Sequence, residues 1–137
     1  MSQKPIELIL ARNLLSSLTT PAFLVDDHGA LVFYNDAAAT LVGRRFEERG
    51  QMAASDWTEQ FGPADPEGRP VSWEDLPLTK ALFAGRAIHS KMHLKVLDGT
   101  VHEIEVSALP IFATGGTRGA MAIFWPVEDG PQAGGPK

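Results

Sequence analysis

Four histidines, His28, His89, His93 and His102, are the residues of this chain best suited to hold zinc or haem iron, because neutral imidazole coordinates both. Their settings argue against that use. His28 belongs to the turn Asp27-His28-Gly29, and His93 alternates onto the polar side of a strand, opposite Met92 and Leu94. His102 shares parity with Ile104 and Val106 and is the histidine expected to point inward. No two of the four have zinc-site spacing. Glu103 and Glu105 fall on the wet face of a strand, and Asp26, Asp27, Asp65 and Asp98 suit turns. Ser107 and the threonines stand in no recognisable nucleophile setting, and no glycine-rich phosphate loop follows a strand. These patterns predict a protein that is not an enzyme and has no metal centre.

The remaining chemistry is apolar. Phe33, Met92, Leu94, Ile104, Val106, Met121 and Ile123 are assigned to one face of a sheet, with Phe46, Trp57, Phe61 and Leu82 as a roof and His102 as the polar member. Such a set lines a cavity for an uncharged or amphiphilic molecule, or packs shut as a core. Methionines serve either purpose equally well.

The elements that must position these residues follow from periodicity. Ile6, Ile9, Leu10, Leu14 and Leu18 recur at helical spacing, with Pro5 suited to a first turn, so residues 6–18 read as an amphipathic helix. Its apolar stripe must be covered, by its own domain or by a second copy. Two short apolar runs, Pro21 to Asp26 and Ala30 to Asn35, flank a glycine turn and predict a β-hairpin. Asn35 and Asp36 cap a short helix that Gly43 stops. From Arg44 to Pro70 the glycines and prolines leave room only for short helical turns and loops. Ser72 is placed as the cap of a helix running through Phe83, with Pro77 in or near its first turn and Gly85 at its end. Alternation over Met92–Val96 and His102–Val106, around a turn at Asp98-Gly99, predicts a second hairpin. A nearly continuous apolar run, Gly119–Trp125, predicts a central strand ended by Pro126. The fold class expected is α+β: a five-stranded antiparallel sheet, short helices on one face, and an amphipathic N-terminal helix.

Length and composition agree with one core. The 137 residues are 44% hydrophobic, which suits a single domain. A net charge of −5 with scattered Lys and Arg gives no field for a nucleic acid backbone. No apolar run reaches the roughly 20 residues of a membrane span, and Glu7 and Arg12 interrupt any signal core, so a cytoplasmic location is expected. The absence of cysteine removes disulfides, thiolate metal sites and cysteinyl chromophore adducts.

Taken in order, these residues resemble the PAS family over about Leu14 to Val127. The resemblance rests on Pro21-Ala22-Phe23-Leu24-Val25-Asp26 with Gly29 and Tyr34-Asn35; on Ala37-Ala38 with Gly43; on Asp65, Gly68 and Pro70; on Pro77-Leu78, Ala81-Leu82 and Gly85; on Asp98-Gly99; and on Val106 to Pro110 before Gly119. It implies a sensory or interaction module with a cavity between helices and sheet, able in some members to hold flavin, haem or another metabolite. Covalent flavin chemistry is ruled out by the missing cysteine, and haem and noncovalent flavin are open but not favoured. The usual Asp-Ile-Thr-like exit is replaced by Trp125-Pro126-Val127-Glu128, which departs from the family's linker pattern.

The expectation is a helix at 1–18 for docking or dimerisation, a PAS domain at 19–128 and a disordered tail at 129–137. The module binds a small, mostly apolar ligand and signals through a homodimer or a separate signalling protein, with Ile6, Ile9, Leu10, Leu14, Phe124 and Trp125 at the dimer interface. The alternative is a ligand-free interaction module with a closed core.

Overall fold

One turn device is used twice in the first half of the chain. In Asp26-Asp27-His28-Gly29-Ala30, the Asp26 Oδ1 accepts the N–H groups of His28 (2.9 Å) and Ala30 (3.0 Å), and Gly29 takes a φ of 84°. In Asp65-Pro66-Glu67-Gly68-Arg69, the Asp65 Oδ1 accepts those of Glu67 (3.0 Å) and Arg69 (2.9 Å), and Gly68 has φ 89°. An Asp with a Gly three residues on thus reverses the chain while its carboxylate takes up two of the turn's backbone N–H groups. The first turn joins strand β1 (Ala22–Asp26) to β2 (Leu31–Tyr34).

The structure is a computed structural model and describes residues 6–43, 52–95, 99, 101–113 and 115–127. Strands β3 (Ile88–Lys95), β4 (Val101–Ala113) and β5 (Gly116–Pro126) complete an antiparallel sheet of order β2-β1-β5-β4-β3. The loop carrying the second Asp turn returns to this sheet: Ala64 donates to His93 O (2.9 Å) and accepts from His93 N (2.8 Å), covering part of the β3 edge. Pro110 does not end β4. Strand β3 stops pairing at Ile88 opposite Ala108, so Pro110 has a free side where a missing N–H is tolerated. Of the expected Asp98-Gly99 turn, Gly99 is described, with φ 90°, and Asp98 lies outside the described residues.

Helices α1 (Ile6–Ser16), α2 (Asp36–Val42), α3 (Ala54–Phe61) and α4 (Pro77–Ala84) flank the sheet. Two of them correct the sequence reading. Within the stretch expected to hold only short turns, α3 is a two-turn helix with no side-chain cap; Trp57 and Phe61, four residues apart, put both rings into the core and outweigh the missing cap. The helix expected from Ser72 is broken. A single 3-10 turn (Trp73–Asp75) ends at Leu76, whose extended backbone (φ −70°, ψ 147°) is what the residue before a proline prefers, and Pro77 opens α4 as its first residue. Ser72 gives its hydroxyl to Asp75 rather than to the backbone (3.3 Å).

Both sheet faces are covered. The larger core lies under α2, α3 and α4, and a smaller one, formed by Leu8, Ala11, Leu15, Ala22, Leu24, Val32 and Phe33, lies under α1 on the reverse face. The buried face of α1 is therefore Leu8, Ala11 and Leu15, spaced three and four apart, while the expected stripe of Ile6, Ile9, Leu10 and Leu14 points outward. Helix α1 is apolar around most of its circumference, so periodicity alone does not pick the docked face. Its approach is close: a Cβ on Gly119 would collide with the Val25 carbonyl and with Leu8 Cδ2.

Asn35, 1% exposed, joins the layers. Its Oδ1 accepts from Ala22 N (3.1 Å) at the start of β1 and from Ala38 N (3.0 Å) as the N-cap of α2. Its Nδ2 donates to Leu15 O (3.0 Å) near the end of α1 and to Thr20 O (2.9 Å). Its own N–H and carbonyl bond Ala22 O and Ala39 N.

Two predictions follow from these contacts. Asn35→Ala orphans both the cap and the buried carbonyls and should cost roughly 3–4 kcal/mol in urea unfolding. Asn35→Asp keeps the cap yet turns an acceptor onto Leu15 O and Thr20 O, and should free α1 first, read as faster amide exchange in residues 8–15. For Asp65, the Arg69 backbone N–H, then the Arg69 side chain and the Glu67 N–H, hold the carboxyl below its ordinary 3.8. A carboxyl lowered in the fold contributes stability that is complete at neutral pH and lost as pH falls below about 3.8 through the folded value. Urea midpoints of wild type and Asp65→Asn should differ at pH 7 and converge as pH falls through the lowered folded value.

Candidate functional site

An apolar slot lies between the sheet and α3, the Pro63 loop and α4. Its walls are Phe23, Ala122 and Phe124 from the centre of the sheet, Met92, Leu94, Ile104 and Val106 from β3 and β4, and Trp57, Pro63, Leu76, Pro77 and Leu78 from the helical side. The cavity is about 40 Å³ and its surface is entirely apolar. The indole N–H in the wall, Trp57 Nε1, is spent on Gly29 O (2.9 Å). The same Gly29 is pressed from another side by the Trp73 ring, where a Cβ would collide with it, so two tryptophans clamp the first Asp turn to the helical layer. Phe23 anchors the slot's inner end, with ring centroids 5.0 Å from Phe124 and 5.5 Å from both Tyr34 and Phe61.

The structure brings Trp57, Met92, Leu94, Ile104 and Val106 together at this slot, as their positions in the sequence imply. Phe61 and Leu82 are buried in the same core but stand back from the slot. His102 sits half-buried on β4 opposite Leu94 and does not line it. Phe33, Met121 and Ile123 belong to the reverse face under α1, and Arg12 lies 4.8 Å over the Phe33 ring. Phe46 lies outside the described residues, as does the tail 129–137. Phe124, expected at a dimer surface, is 2% exposed in the larger core; Trp125 beside it is on the outer face and 37% exposed. The corrections at Phe33, Met121, Ile123 and Phe124 share one cause. Strands β1, β2 and β5 are apolar on both sides because both faces are covered, so their sequences do not alternate and parity is hidden. For β5, pairing fixes it: Ala122 and Phe124 oppose Ala108 and Val106, on the slot side. Of the wall residues missed, Phe23 and Ala122 carry no signal in the sequence except membership of those continuous runs, and Pro63, Leu76, Pro77 and Leu78 lie in loop and helix-start segments whose approach to the sheet no local pattern states.

A polar cluster also emerges on the outer face. His89 Nδ1 lies 2.9 Å from Ser107 Oγ, directly across the β3–β4 ladder, and His89 Nε2 lies 3.4 Å from Glu105. The His89 ring is 6.3 Å from that of Trp125. Ser107 therefore does have a histidine and an acid nearby, which the spacing in sequence does not reveal. The cluster is solvent-exposed, with the His89 side chain 57% accessible, and acts as a cross-strand polar pairing rather than a sheltered nucleophile. Among the described residues, no three His, Asp or Glu side chains converge as metal ligands, and no helix is long and apolar enough to cross a membrane.

Against known families, residues 10–127 match the model described as the PAS fold. The chain belongs to the PAS family. PAS domains are generally sensory or signalling modules rather than catalysts, and they often dimerise or pair with signalling partners. No curated protein matches this one in sequence. Solved structures similar to it include a PAS domain from Colwellia psychrerythraea (16% identity, TM-score 0.63, covering 88% of this chain and 96% of that one). Another is the PAS domain of nitrogen regulation protein NR(II) from Vibrio parahaemolyticus (20% identity, TM-score 0.61, 86% and 98%). A third is the Rhodobacter sphaeroides LOV protein (12% identity, TM-score 0.69, 90% and 69%). At these identities the likeness is one of fold. The slot of this PAS domain does not fit the cofactors the family resemblance raised: 40 Å³ is too small for an isoalloxazine or a haem, no histidine lines it, and its surface offers no polar partner to ring nitrogens or propionates.

Phe124→Ala should cost about 3–5 kcal/mol in chemical denaturation, as for any large ring removed from a core, whereas Trp125→Ala should cost about 1 kcal/mol.

Proposed function

We propose that this PAS domain is a sensory module whose slot takes a small uncharged apolar guest, with the signal passing to a partner through α1 and the outer face of the sheet. The observation that carries this reading is the slot itself. A dry void of 40 Å³ in an otherwise packed core costs on the order of 1 kcal/mol, and an apolar guest recovers that cost by filling it. Room for roughly three waters accommodates a few carbon atoms, and Met92, together with the Pro63 and Pro77 segments that close the slot, is the adjustable part of the wall for anything longer. The outcome is a shift in stability of the helical layer against the sheet, the kind of differential binding a sensor requires.

A second reading has its own observation. Ile6, Ile9, Leu10 and Leu14 are between 45% and 64% exposed on one side of α1, an apolar stripe that a soluble monomer does not ordinarily leave open. In this reading α1 pairs with α1 of a second copy, or with a signalling protein, and the core stays closed.

One experiment addresses both. Native mass spectrometry of freshly purified protein counts subunits and bound mass, and thermal unfolding with 1-hexanol or benzene reads occupancy. The sensor reading expects a rise of a few degrees in Tm with saturating guest, and no rise in Ala122→Leu, which fills the slot from the sheet side. No bound mass and no rise leaves the closed-core module. A dimer that Leu10→Asp with Leu14→Asp converts to a folded monomer supports pairing through α1, and a monomer at every concentration sinks the homodimer.

A further inference from the structure

A second recess, separate from the slot, lies on the outside of the helical layer, between the 3-10 turn, α4 and the beginning of β3. It is an open groove of about 450 Å³, within the range of ordinary small-molecule sites and far larger than the slot. The rings of Trp73 and Phe83, edge to face at 5.9 Å, form its apolar side, and Phe83 is 65% exposed, so most of that ring is committed to nothing in the fold. Lys80 and Arg86 stand on its border against a single acid, Glu74, which leaves it one positive charge in excess.

Thr79, also part of its lining, is the decisive residue. It is 5% exposed, yet its hydroxyl has neither water contact nor a hydrogen-bond partner. A helical threonine ordinarily gives that proton to the carbonyl four residues back. Here that residue is Asp75, in the 3-10 turn beyond the break at Leu76, so the helix supplies no carbonyl beneath it. The Trp73 Nε1, resting against Gly29, is unpaired as well. An orphaned buried hydroxyl is costly, and it sits here beside an exposed aromatic ring and two cations.

We propose that this groove binds a small carboxylate with a planar apolar body: the body packs on Phe83 and Trp73, and the carboxylate accepts from the Thr79 hydroxyl under the field of Lys80 and Arg86. This site is independent of the slot and of any guest there.

The test is titration of the full chain with 1-naphthoate, followed by amide chemical shifts, with 1-naphthalenemethanol as the neutral control. The expected result is saturable binding with shifts concentrated in residues 73–88, at least tenfold weaker for the alcohol. Thr79→Val should weaken naphthoate about tenfold while leaving Tm equal or higher, since a methyl replaces an unpaired hydroxyl. Arg86→Gln should weaken it about threefold or more. Ala122→Leu, which fills the slot, should leave it unchanged. The proposal is overturned by absence of saturable binding, by equal affinity for acid and alcohol, by wild-type affinity in Thr79→Val, or by shifts centred on Met92, Leu94 and Ile104.

Discussion

The amide of Asn35 is the constraint on which the rest of the arrangement depends. Three element ends converge on it: α1 closing, β1 opening and α2 opening, each with backbone groups that its own hydrogen-bonding pattern leaves unpaired. A carboxylate would satisfy the two N–H groups but not the carbonyls, and a hydroxyl is too short to reach four partners. Only a primary amide carries acceptor and donors at the required separation. Because the residue is buried, these bonds are made largely in a low dielectric, where each is strong and its loss costly. Helix α1 on one side of the sheet and α2 on the other are thereby fixed to one side chain.

How much of this was legible in the sequence divides along the number of wet faces an element has. Strands β3 and β4 have one, and their alternation placed Met92, Leu94, Ile104 and Val106 at the slot correctly. The glycine and Asp turns, the α2 cap at Asn35 and the five-strand architecture were equally readable, because each is a local rule with a local signature. Strand β5 is packed on both faces between Gly119 and Phe124, so Phe124 and Ala122 looked no different from Met121 and Ile123, and the assignment inverted. Helix α1 failed for a related reason: Leu8 and Leu15 are docked, Ile9 and Leu10 are not, and hydrophobicity is nearly the same on both. What separates them is the fit against Gly119 and the Leu24 side of the sheet, a tertiary fact. The polar trio of His89, Ser107 and Glu105 was invisible because it depends on β3–β4 register, which no local pattern states.

The slot and the groove outside α4 differ in kind, and the difference follows from how α4 begins. Pro77 and Leu78 face inward and close the slot. The same Pro77 sets the extended backbone at Leu76 that separates the 3-10 turn from the helix, and the Thr79 hydroxyl is left without the carbonyl a continuous helix would give it. One proline thus tightens the interior and opens the exterior.

Strand β5 is a partition one residue thick. Ala120, Ala122 and Phe124 face the larger core, and Met121 and Ile123 face the smaller one. Residues on the two sides do not touch each other's neighbours, so their identities are free to drift separately: a lineage that alters what the slot accepts need not alter what α1 rests on. Their positions enjoy no such freedom, since adjacent side chains hang from a single backbone spaced about 3.4 Å per residue. Selection on such a strand would therefore leave a distinctive trace across relatives, two independent alphabets interleaved at alternate sites and almost no tolerance for an inserted or deleted residue.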